Sequence, residues 1–192
     1  KGTDFVRKNA IESYHCRIER NAGPILDKIK DGDLTLLQNE ITRAEFSHFI
    51  GMQYCRTKKM FDRISEGTSK QQEHHGNPGD VIPSRLAKIL TILTAESIAY
   101  WIHSGSTTQI LTATEDKPFI TSDQPVYNIY STNDFSEVKN LSLFYPISPT
   151  KAILMWPKNK QMPNLDTATY NNMTRKHAHQ FVFAKDKSDL IE

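Results

Sequence analysis

A chain of 192 residues with 38% apolar content can bury a sizeable core and reads most simply as one domain. Its 24 basic and 22 acidic residues leave a formal charge of +2, which provides no global electrostatic pull toward nucleic acid or an anionic membrane. The only cysteines, Cys16 and Cys55, exclude a disulfide framework and show no zinc pattern; buried, inert thiols in a reducing cytoplasm are the expectation.

The apolar residues Ile11, Ile18, Ala22, Ile25 and Ile29 recur at helical intervals and predict a first helix over about 4–29, with Gly23-Pro24 as its kink or break. Asp31-Gly32-Asp33 is a turn signal. Leu34, Leu37, Ile41, Phe46, Phe49, Ile50 and Met52 then predict a second helix from about Thr35 to Phe61, with Gln53, Arg56 and Thr57 on one face. The polar stretch 65–79 lacks apolar periodicity and is expected as a mobile connection. Residues 80–104 resume with Leu86, Ile89, Leu90, Leu93, Ile98, Trp101 and Ile102, apolar around so much of the circumference that a central buried helix is expected. Even this run is broken by Thr91, Thr94, Glu96 and Ser97, and no segment approaches the roughly 20 apolar residues of a membrane span.

Beyond Gly105 the period changes. Residues 107–114, 118–122 and 126–130 are strand candidates, and 141–147 with 152–156 form a hairpin around Ser148-Pro149-Thr150-Lys151. A helix over 167–178 and a strand over 180–184 complete the chain. Helices first and strands afterwards predict an α+β fold: about three long helices (4–104) packed on a mainly antiparallel sheet (107–192), in a single domain over 1–192. The chain begins with Lys1 rather than Met, so its native start stays open and no removed leader can be judged.

The run Phe119-Ile120-Thr121-Ser122-Asp123-Gln124-Pro125-Val126 ends an apolar strand in a hydroxyl, a carboxylate and a proline that fixes φ, so Asp123 is held in one place. Together with Glu19, Gln53-Tyr54-Cys55-Arg56-Thr57 and Tyr145-Pro146-Ile147-Ser148-Pro149, in that chain order, it resembles the bacterial domain-of-unknown-function family four-two-three-eight over most of the sequence. The resemblance implies that Glu19, Gln53, Arg56 and Asp123 gather around one polar site, with Ser122 behind them. Such a set can bind phosphate through the arginine fork, hold a cation, or abstract a proton. In the competing reading, Arg56 and Asp123 simply pair to dock the helices on the sheet.

Other constellations are weaker. Glu12-x-x-His15 and Glu45-x-x-His48, with Glu19 and Glu96, nominally match a dimetal bundle, but four helices around one axis are lacking. Arg43 and His48 have the Arg-x4-His spacing of helical ribonucleases of the HEPN class, yet five residues turn a helix by roughly 500° and point the two side chains apart. His74-His75 stands in the polar connection without further ligands. The segment Arg175-Lys176-His177-Ala178-His179-Gln180 is locally basic and can contact phosphate in a salt-sensitive way. Phosphate loops, dinucleotide fingerprints, serine-hydrolase elbows and zincin motifs are absent.

The leading expectation is therefore an enzyme-like pocket acting on a phosphate-bearing nucleotide or nucleic acid, with no membrane contact. The alternative is a non-catalytic domain that binds a protein partner, in which the polar residues are an internal clasp. Neither a metal nor a cofactor, nor a specific reaction, follows from the residues.

Overall fold

The computed structural model describes residues 2–74, 83–131 and 140–190. Helix α1 (Gly2–Lys30) runs through Gly23-Pro24 without ending. Ile18, Ala22, Ile25 and Ile29, spaced four, three and four apart, are all buried, so tertiary packing of one face overrides the local helix breaker. Gly32, at φ 98°, makes the turn that follows, where a side chain would be strained. After a short 3-10 helix (Thr35–Gln38), Asn39 caps α2 (Glu40–Cys55): its side-chain oxygen accepts the N–H groups of Ile41 and Thr42 at 3.0 Å each.

The second predicted helix is in fact two. Arg56 is the C-cap of α2, and the Thr57 hydroxyl accepts the Met60 N–H at 3.4 Å in the first turn of α3 (Lys58–His74). A threonine that can cap the next helix ends the register that apolar spacing alone carries forward. The expected connection at 65–79 is helical as far as His74; residues 75–82, His75 among them, lie outside the described residues.

Helix α4 (Pro83–Gly105) starts on a proline at its first helical position. It crosses α2 closely: a Cβ on Gly51 would run into the Ala95 carbonyl oxygen. Contrary to expectation α4 is not buried all round. Leu86, Ile89, Leu93 and Tyr100 stand 37 to 75% exposed along one face, while Ala87, Ala95, Ile98, Ala99 and Ile102 are buried on the other.

The main sheet is antiparallel, with β1 (Ser106–Thr112), β3 (Tyr127–Asn128), β4 (Leu143–Pro146) and β5 (Lys151–Pro157) in the order β1-β5-β4-β3. A second, two-stranded antiparallel sheet joins β2 (Thr121–Ser122) to β6 (Val182–Phe183). Strand β5 is buried at every position from Ala152 to Trp156, because both sheet faces are covered. Ile153 and Met155 enter a core with Ile50, Phe49 and Ile29 from the helices. Ala152, Leu154 and Trp156 enter a second core with Tyr127, Phe144 and Tyr170 beneath α5 (Thr167–His177). The α+β expectation, helices before a mostly antiparallel sheet, is thus observed, with four long helices among the described residues before β1 rather than three.

Candidate functional site

Asp123 follows β2 directly. Its Oδ1 accepts the His179 N–H at 2.8 Å, and its Oδ2 accepts those of Gln180 and Phe181 at 2.8 and 3.2 Å. The Asp123 N–H donates in turn to the Phe181 carbonyl at 3.1 Å. Burial pushes the Asp123 carboxyl upward, but the three backbone donors and nearby His179 outweigh it and hold the group below its ordinary value. The carboxylate therefore anchors the chain as it leaves α5.

The neighbour that the sequence did not single out, Gln124, ties the strand-rich half to the helices. It is 3% exposed. Its Oε1 accepts the Thr57 hydroxyl, and its Nε2 donates to the Val126 carbonyl at 2.7 Å and to the Tyr54 carbonyl at 3.2 Å. The last of these satisfies one of the carbonyls left open at the end of α2. Ser122 Oγ donates to the Gln124 carbonyl at 3.0 Å and accepts its N–H at 3.2 Å, closing the turn between the two anchors.

The other expected site residues lie on the helices. Arg56 pairs with Glu19 of α1, both ends being more than a third exposed. Gln53 is half-buried one turn earlier in α2. Arg56 and Thr57, adjacent in sequence, thus reach opposite ways: one to α1, the other to Gln124.

Beside the Gln124 anchor opens a cleft of about 260 Å³. One wall is a face of α3, where Lys59, Asp62, Arg63 and Glu66 follow the spacing of three, one and three residues that keeps them together. His177 at the end of α5 and His179 beyond it also line the cleft. Tyr54, Gln124, Tyr127, Asn128 and Ser131 close the cleft. The His177 ring stacks on Tyr127 with centroids 4.6 Å apart, and its Nδ1 lies 3.5 Å from the Ser131 hydroxyl. Burial first, then Lys59 and Arg63, lower the imidazole to about 4, so His177 is neutral near pH 7. Lys59 Nζ donates to the His177 carbonyl at 2.8 Å. Asp62 is engaged by Lys58 at 2.6 Å.

Sequence reasoning missed both cations: Lys59 falls inside the expected second helix, where its face is not legible without the break at Thr57, and Arg63 falls beyond that helix's expected end at Phe61. The signal was present in the spacing of charges from Lys59 to Glu66. His177 and His179 fall within the segment 175–180, which the sequence marks as locally basic and able to contact phosphate.

The remaining constellations resolve separately. His48 Nε2 lies 2.7 Å from both the Glu96 carboxylate and the Tyr14 hydroxyl, and Tyr14 donates to Glu96 at 2.9 Å. Glu45 accepts from Asn21, and Glu19 is held by Arg56. Among the described residues no three His, Cys, Asp or Glu side chains are grouped to hold a metal, so the dimetal pattern does not assemble. Arg43 donates to the carbonyls of Ile102, His103 and Ser106 at the end of α4, roughly two turns from where His48 meets Glu96. The Arg-x4-His pair therefore diverges. Cys55 is buried, its thiol pushed up to about 12, whereas Cys16 is exposed, contrary to expectation. Among the described residues no helix is long and apolar enough to cross a membrane.

No curated protein and no solved structure matches the chain significantly. The family model for DUF4238, described as a protein of unknown function, matches residues 2–188. The chain therefore belongs to the DUF4238 family.

Proposed function

We propose that the domain binds a small phosphate-bearing ligand in the cleft between α3 and the end of α5. The observation that carries this reading is the placement of Lys59 and Arg63, one helical turn apart, in a cleft that a neutral, buried His177 also lines. Two cations that share a partly desolvated wall attract an anion more strongly than the same charges in open solvent. Neutral His177 and the Ser131 hydroxyl add donors without adding charge. Glu66, at the far end of the α3 face, suits ligand hydroxyls rather than phosphate. A cleft of about 260 Å³ favours a mononucleotide or sugar phosphate over a polymer. Asp123 supports the site from behind by fixing His179 and the residues after it, and its charge acts on Lys59. Glu19, Gln53 and Arg56 belong to a separate helical surface in this reading.

The test is titration with inorganic phosphate and with a nucleoside monophosphate, followed through the His177 and His179 imidazole resonances. Saturable shifts are expected, weakened about tenfold or more by Lys59→Ala or Arg63→Ala, and reduced by salt. Affinity unchanged in both variants would remove the cleft from consideration. The interaction-domain reading would then take over, supported by the exposed apolar face of α4 at Leu86, Ile89, Leu93 and Tyr100.

A further inference from the structure

Lys58 and Lys59 are consecutive in α3 but have opposite surroundings. The Lys58 side chain is 68% exposed and paired with Asp62. Lys59 turns into the cleft, shares its wall with Arg63, and is fixed by the His177 carbonyl. Burial, then the Arg63 guanidinium, weaken the hold of Lys59 on its proton, with Asp123 opposing them. A lysine is nucleophilic only as the free amine, and partial burial beside a second cation favours that form. The His177 carbonyl accepts a hydrogen bond from the ammonium and from the neutral amine alike, so Nζ stays in place when its proton leaves. Arg63, always charged, remains to hold an anionic substituent when Lys59 becomes neutral.

Resting on the anion-binding reading above, we infer that Lys59 forms an imine with a phosphate-bearing aldehyde or ketone held in this cleft. After loss of the ammonium proton to solvent, the Nζ lone pair adds to the carbonyl carbon. Nζ gives up its two remaining protons, the carbonyl oxygen takes up two and leaves as water, and the C=N bond takes the place of C=O; no oxidant or reductant is required.

The experiment uses the full chain with pyridoxal 5′-phosphate or unphosphorylated pyridoxal as probe, trapping by borohydride and locating modified lysines by peptide mass spectrometry. Accessibility alone would favour Lys58. The expected result is the reverse: Lys59 reacts with the phosphorylated aldehyde several-fold faster than Lys58, because the neighbouring guanidinium of Arg63 draws the phosphate to that side chain, and inorganic phosphate suppresses the reaction. If Lys58 and Lys59 react equally while phosphate still shifts the His177 resonances, the imine is overturned and anion binding stands. Equal labelling of Lys59 by both aldehydes, unaffected by phosphate, would overturn the phosphate-directed proposal and the anion site with it. Lys59→Arg should abolish the modified peptide. Should that variant not fold, the pH dependence of wild-type labelling decides: half-maximal reaction of Lys59 below the ordinary lysine value is expected, and a profile at or above that value would refute the inference.

Discussion

Two carboxylates of this protein were expected to share one site, and their surroundings differ in kind. Asp123 is gripped by three backbone N–H groups of the chain that leaves α5. Glu19 meets one flexible side chain, Arg56, on a helical surface where both partners are largely solvated. A backbone donor is already ordered by the fold, so a bond to it costs little further entropy; an exposed arginine must be immobilised to make the pair. The comparison teaches that Ser122-Asp123-Gln124 is a fixed junction, whereas Glu19–Arg56 is a surface contact that the fold can lose.

Four measurements break or sharpen that contrast. Gln124→Ala should have the largest effect, about 3–5 kcal/mol in chemical denaturation, because it opens a buried void and strands the Thr57 hydroxyl with the Tyr54 and Val126 carbonyls. Asp123→Ala should follow at about 2–3 kcal/mol, with protection from hydrogen exchange lost first at residues 179–181. A cost as small as that of an exposed residue would mean that the three bonds do not hold in solution.

The third effect is acid sensitivity. His177 has a folded value of about 4 against an ordinary 6.5, so the unfolded chain binds the extra proton first. Stability is then full above about pH 6.5 and falls as pH drops toward about 4, by of order 2 kcal/mol after allowing for partial solvation. His177→Gln should flatten that window in a melting-temperature series. Asp123, held below its ordinary value, adds a second loss at lower pH, as the native carboxylate is protonated. The smallest effect belongs to Arg56→Ala, under about 1 kcal/mol and weaker still at high salt. If it matched Asp123→Ala, the two regions would not differ as described.

Much of this architecture was legible in the chain. Apolar spacing located α1 and α4, the stretch 152–156 marked one strand of a hairpin, and the proline after Gln124 marked a constrained strand end. These features depend on local sterics and on which faces must leave water, both written in residue order. The partners of Asp123 were not legible, because they are backbone groups 56 to 58 residues away and every residue type but proline supplies the same N–H. The cleft was hidden for a related reason. Lys59 and Arg63 reach the cleft only when Thr57 starts a new helix, and His177 joins them only when Asp123 and Gln124 dock the end of α5 and the α2–α3 junction on adjacent residues. Sequence by itself determined the order of helices before strands and the buried face of α1; tertiary structure decided where α2 gives way to α3 and which polar groups meet, since long-range backbone hydrogen bonds leave no periodic trace.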